Sequence, residues 1–237
     1  MKYNKEFFIR CAYTLANMIS VLIPIYNGIE FIDESVSSVL KQTYTEWEII
    51  IGVNGHAENS SVYQLAKKYA DHNYKISVLD LYTISGKANA LNEMIKHCKY
   101  DYVAILDVDD IWYPEKLEIQ MIYVAEFNYD VIGSRCVYFG DLENISPSIP
   151  VGDISGFDFK SVNPIINSSA IIRKHLCHWE ENGVEDYDMW LRLRYINNGI
   201  SFFNCNDILV KHRIHKKSAF NSKGNHTKAI DLTKKYA

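Results

Sequence analysis

Three carboxylates stand almost side by side in Leu106-Asp107-Val108-Asp109-Asp110-Ile111, directly after an apolar run and just before a helical stretch with Pro114 in its first turn. Carboxylates this close raise one another's pKa unless a cation joins them. Oxygen ligands with no cysteine nearby suit Mg²⁺ or Mn²⁺, ions that share their coordination shell with substrate phosphates. One reading is therefore a divalent-metal diphosphate site. The other is a set of helix-capping acids on a solvated loop, because Asp before a helix is common.

The elements that must position these acids follow from hydrophobic periodicity. Residues 19–25 (ISVLIPI), 47–53 (WEIIIGV), 75–81 (KISVLDL) and 102–108 (YVAILDV) are apolar runs of strand length. Helical patterns alternate with them, in FIDESVSSVLKQ, SVYQLAKKYA, GKANALNEMIKHC and EKLEIQMIYVAEF. Unbroken apolar strands alternating with amphipathic helices predict an α/β domain whose central sheet is mostly parallel and covered by helices on both faces. Ligands in such sheets bind beyond the carboxyl ends of the strands, where the acids fall. Further on, VIGSRCVYF and NSSAIIRK read as strands, YDMWLRLRYI as a helix and ISFFNCNDILVKH as one or two strands. Residues 140–165, with Pro147, Pro150, Gly152 and Gly156, form one long irregular stretch, expected near a substrate.

Composition narrows the classes. With 237 residues, 48% hydrophobic and 13% aromatic, the chain has enough apolar material for one large domain and excludes disorder or a coiled coil as its main architecture. A formal net charge of −4 argues against broad binding to nucleic acid. The five cysteines are odd in number, widely spaced and never in a C-x-x-C pair, which fits a reducing compartment. No transmembrane segment is written in the chain, so a cytoplasmic protein, soluble or peripherally membrane-associated, is expected.

Taken in order, the motifs resemble those of the family 2 glycosyltransferases. VLIPIYN (21–27) resembles that family's first strand and loop, EIIIGVNG (48–55) its second, SGKANALN (85–92) its Gly-basic-x-Asn helix start and LDVDDIWYPEKL (106–117) its D-x-D segment. NSSAIIRK resembles the acceptor-side strand, ENGVEDYDMWLRL (181–193) the Glu-Asp helix and KHRIHKKSA (211–219) the C-terminal basic segment. The resemblance implies the Rossmann-like GT-A fold for residues 18–220, a nucleotide-binding part at 18–130 and an acceptor-binding part at 131–220. Residues 1–17 would be an N-terminal extension and 221–237 a polar tail.

It also implies roles. Pro24 and Tyr26 would line the nucleotide pocket, Asn54 would offer a donor and an acceptor to a base edge, and Lys87 would reach the diphosphate or the base. Asp107 would hold a ribose hydroxyl, Asp109 would bind the Mn²⁺ or Mg²⁺ that bridges two phosphates, and Asp110 would assist through water. Asp186 would be the general base of an inverting transfer, with Glu185 orienting it and Trp190 serving as a sugar platform. Arg213 and His215 would stand near the diphosphate, His215 as a metal contact or a donor to the leaving group.

The donor implied is a nucleotide-diphosphate sugar, UDP before GDP or dTDP. The acceptor is a glycan, a lipid-linked molecule or a protein. The family's usual base-contacting acid is replaced here by Val53, which cannot hydrogen-bond a base edge. A catalytically silent nucleotide-sugar binding domain is thus an alternative. A haloacid-dehalogenase-type phosphatase using Asp107 is another, although its acids normally follow the first strand.

Overall fold

The computed structural model describes residues 18–216 and 224–236, so the expected 1–17 extension lies outside the described residues. The first half alternates β1 (Ile19–Ile25), α1 (Ile32–Leu40), β2 (Trp47–Asn54), α2 (Ser61–His72), β3 (Ile76–Leu81), α3 (Lys87–Met94) and β4 (Tyr102–Ile105). The second half adds β5 (Ile111–Trp112), α4 (Lys116–Phe127), β6 (Val131–Gly140), β7 (Gly152–Asp153), β8 (Ile171–Arg173), α5 (Glu185–Tyr195), β9 (Phe202–Ile214) and α6 (Asn225–Lys235).

One sheet runs through the molecule in the order β3-β2-β1-β4-β8-β6-β9-β5, with β7 on β9. β1 pairs in parallel with β2 and β4, and β2 with β3, so the alternating apolar runs build a parallel half as expected. Beyond β4 the sheet becomes mixed. β8 joins β4 and β6 antiparallel, β6 and β9 pair in parallel, and β5 and β7 lie antiparallel on β9.

Both faces are covered. Ile19, Val21, Ile23 and Ile25 of β1 point into one core with Val36 and Val39 of α1 and Leu117 and Met121 of α4. Leu22 points the other way, into a second core with Leu91 and Met94 of α3 and Met189, Trp190 and Leu193 of α5. This alternation is the period of two along a strand, and it explains why β1 is apolar at every position but Ser20, whose buried hydroxyl donates to Glu48.

The fourth apolar run ends as a strand at Ile105, earlier than its hydrophobicity suggested, because Asp107 to Asp110 form a turn closed by the Asp110 amide on the Asp107 carbonyl. ISFFNCNDILVKH forms a single long strand, β9, with a register irregularity against Ser134 to Cys136 of β6. Strand order reverses at β1, with β2 on one side and β4 on the other, so the crevice of an open α/β sheet falls beyond Ile25 and Ile105. Among the described residues no helix is long and apolar enough to cross a membrane.

Candidate active site

The crevice is a cleft of about 360 Å³ at that switch point. Pro24, Tyr26 and Gly28 enter it from the end of β1, Asn54 and His56 from the end of β2, Lys87 from the start of α3, Asp107 and Asp109 from the turn after β4, and His212, Arg213 and His215 from the end of β9. Eight of the expected residues thus line one cavity although they come from five places in the chain: Pro24, Tyr26, Asn54, Lys87, Asp107, Asp109, Arg213 and His215.

Tyr26 is 57% exposed and offers a ring face to the cleft. It is held from below. A Cβ at Gly55, whose φ is +74°, would come within 2.4 Å of the Tyr26 ring, and His56 Nε2 lies 2.6 Å from the Tyr26 carbonyl. Only glycine gives the ring that space. Asn54 is almost wholly buried and its amide donates to the Gly86 carbonyl at 3.2 Å. One of its two amide hydrogens thus ties the end of β2 to the start of α3.

Asp107 is held on both oxygens, by Lys87 Nζ at 2.5 Å and by the Asn167 amide at 3.1 Å. Burial alone would raise its pKa, but Lys87, Asn167 and His212 outweigh it and hold the carboxyl below the usual range. Lys87 is the converse case: burial opposes its charge, yet Asp107, with Asp186 and Glu185 nearby, raises its pKa. The lysine therefore stays cationic between two sets of acids.

Asp109 behaves differently. Burial and the carboxylates of Asp110 and Asp107 push its pKa up, and a contact of 3.0 Å from His215 Nε2 opposes the shift only in part. Asp110 was expected to assist a metal through water. It is instead fully buried, and its two oxygens accept from His212 Nδ1 at 2.9 Å and the Arg213 amide at 2.8 Å. It anchors the end of β9 beneath the acid turn. Arg213 Nε donates to the Asp109 carbonyl at 2.8 Å, and its guanidinium pairs with Glu34 at 2.9 Å and lies over the Phe31 and Phe139 rings. These contacts brace the turn that carries Asp109.

Asp186 and Glu185 open α5 and are not among the residues lining this cleft. Burial raises the Asp186 pKa, while Lys87, the Tyr187 amide and Asn163 pull it back. The Asn163 amide reaches Asp186 at 3.2 Å, so the end of the irregular 140–165 stretch touches this acid. Trp190 does not fit its expected role. It is fully buried in the second core and has no face to offer a sugar.

Sequence reading missed His56, Asn163, Asn167 and His212. Each becomes a site residue only through a partner at least 23 residues away, and no local spacing marks it.

Among the described residues, no group of three or more His, Cys, Asp or Glu side chains forms a metal-binding cluster. Asp109 and His215 are one oxygen and one nitrogen donor facing the same cleft. They suit an ion that completes its shell with phosphate and water, which is the habit of Mg²⁺ and Mn²⁺.

A family model described as Glycosyl transferase family 2 matches residues 20–199. Relatives include the O-antigen biosynthesis glycosyltransferase WbnJ of Escherichia coli, 27% identical, with 86% of this chain and 82% of that protein aligned. The E. coli UDP-Glc:alpha-D-GlcNAc-diphosphoundecaprenol beta-1,3-glucosyltransferase WfgD is 28% identical over 87% of this chain and 81% of its own length. Among solved structures, S. aureus TarS in complex with UDP-GlcNAc superposes with a TM-score of 0.67 at 18% identity, over 86% of this chain and 61% of TarS. The mannosyltransferase PcManGT from Pyrobaculum calidifontis, in complex with GDP-Man and Mn²⁺, gives 0.67 at 15% over 87% of this chain and 60% of that one. This chain thus spans about three fifths of those two structures. The motif order, the switch-point cleft and these likenesses converge: the chain belongs to glycosyl transferase family 2 and is a glycosyltransferase with the GT-A fold.

Proposed function

We propose that this protein moves a sugar from a nucleotide-diphosphate sugar, UDP-linked in the first instance, to an acceptor hydroxyl with inversion at the anomeric carbon. The observation that carries the reading is the placement of Lys87 between two acid groups. It pairs with Asp107 at 2.5 Å in the donor cleft and feels Asp186 and Glu185 across it. One set of acids serves the donor and the other the acceptor.

Asp186 takes the proton from the acceptor hydroxyl as its oxygen forms the new bond to C1, and the bond from C1 to the diphosphate oxygen breaks on the opposite face. Its raised pKa and its bond to Asn163 suit a base that must accept a proton and stay oriented. Glu185 receives the Gly183 amide and keeps the start of α5 in place. Asp107 binds a ribose hydroxyl, Tyr26 packs on the base, and Lys87 faces the diphosphate. Asp109 and His215 would hold Mn²⁺ or Mg²⁺, which when bound supplies positive charge to the departing diphosphate.

WfgD, by its name, uses a UDP-sugar and an acceptor sugar on a lipid diphosphate, which favours UDP and a lipid-linked glycan for this chain too. The GDP-Man complex of PcManGT keeps GDP as the second choice. The test is release of nucleotide from UDP- and GDP-sugars in the presence of lipid-linked glycan acceptors, with wild type and Asp186→Asn. The variant is expected to lose about 10² to 10⁴ of kcat with its donor Kd unchanged. Equal loss of donor binding and kcat would remove Asp186 from the role of base.

A further inference from the structure

The helix that presents Lys87 and the helix that presents Asp186 are joined by a short strut. At its near end, the Glu181 carboxylate accepts the Ala88 amide of α3 at 3.0 Å. α3 has no cap of its own at this end, so an orphan first-turn donor and the positive end of the helix dipole meet a carboxylate from 93 residues away. The carboxylate fits because position 86 is glycine at φ +91°: a Cβ there would come within 2.0 Å of Glu181 Oε2. One turn along α3, the Asn92 side chain clasps the Trp179 backbone twice, donating to its carbonyl at 2.7 Å and accepting its amide at 3.0 Å. Between strut and base, the Asn182 side chain receives the Val184 amide at 2.9 Å and Glu185 receives the Gly183 amide at 3.2 Å. Three hydrogen bonds thus fix residues 179–181 to the donor-side helix, and a tight turn hands that position on to α5.

We propose that Glu181 is a positioning residue for transfer: seated in the Gly86 slot on the Ala88 amide, it sets the spacing between Lys87 and Asp186. The role rests on the reading of Asp186 as the base. A carboxylate that merely capped α3 would affect stability, whereas one that aligns two sides of a reaction acts on turnover, because small misplacement of a base is costly. Glu181 is exposed, so its removal opens no cavity in the core.

The test compares wild type, Glu181→Ala and Glu181→Gln in nucleotide-sugar turnover, donor calorimetry, thermal unfolding and amide hydrogen exchange. The expected result is a kcat lowered about tenfold or more in Glu181→Ala with donor Kd unchanged, and most of the loss recovered by Glu181→Gln, which keeps an oxygen acceptor of the same shape. Exchange of the Ala88 amide and of the first turn of α5 should quicken together in Glu181→Ala. A kcat within about twofold of wild type, or donor affinity lost in step with kcat, would overturn the proposal. If wild type shows no transfer with any donor, the reading of Asp186 fails separately. The exchange data then decide for the strut: unchanged protection at the start of α5 in Glu181→Ala would overturn it.

Discussion

His212 Nδ1 and Asp110 Oδ2 meet at 2.9 Å beneath the acid turn, with Asp110 wholly buried and its other oxygen on the Arg213 amide. The middle acid of the turn faces the cleft while its neighbour holds the end of β9, so two adjacent aspartates have opposite duties. Asp110→Asn is expected to lower stability by about 2 kcal/mol, since it leaves a half-buried histidine without its carboxylate. Asp109→Asn should leave Tm almost unchanged. Thermal unfolding of both variants checks this, and equal Tm values would refute the division.

The same pair gives a pH signature. Burial opposes charge on His212, but Asp110, with Asp107 and Asp109 beyond it, raises its pKa from 6.5 to about 9. A folded-state pKa above the unfolded one adds stability that is complete below about 6.5 and is lost as pH rises through about 9. The Tm gap between wild type and His212→Gln should therefore narrow from pH 6 to pH 10. A constant gap would contradict the ion pair.

Lys116 predicts the opposite slope. It is fully buried over the Trp112 ring, with Nζ 4.0 Å from the ring centroid and 2.6 Å from Gln120 Oε1. Burial pushes its pKa down from 10.5 to about 7, against a small opposing effect of Cys205. Between about pH 7 and 10.5 the unfolded chain binds the extra proton, so this group's contribution to stability rises with pH across that window. Lys116→Met should remove that contribution. Its Tm relative to wild type should be highest at pH 6 and fall towards pH 10, and a pH-independent difference would show that the lysine is not buried as a near-neutral amine.

Gly55 provides a test of the proposal that the Tyr26 ring packs on the nucleotide base. Gly55→Ala drives a methyl into the Tyr26 ring and is itself strained at φ +74°, so donor affinity should fall by about tenfold while metal-independent properties persist. Tyr26→Ala should lose a similar amount. Calorimetry with UDP that finds both variants at wild-type affinity would move the base elsewhere.

What the sequence made legible is what depends on near neighbours. The runs at 19–25 and 47–53 became β1 and β2 because a strand buried on both faces must be almost wholly apolar, and their polar members Ser20 and Glu48 pair with each other. β8, Ile171–Arg173, falls inside the NSSAIIRK run read as a strand, whereas β5 has two residues and exists only through pairing with β9, so no periodicity announces it. Trp190 was misread as a platform because α5 is buried on several sides, with Tyr187 to Leu191 and Leu193 all inside, and offers no polar stripe to mark its outer face. Asn167 and His212 carry no local signal, since their acids lie 60 and 102 residues away.

The central claim is a donor site in which Asp109 and His215 bind a divalent ion together with a nucleotide diphosphate. Calorimetric titration of UDP and of GDP into wild type and Asp109→Asn, each with and without Mn²⁺, tests it most directly. The account predicts Mn²⁺-dependent binding of UDP to wild type, weakened at least about tenfold in Asp109→Asn. UDP binding of equal strength with and without Mn²⁺, unchanged in the variant, would contradict it.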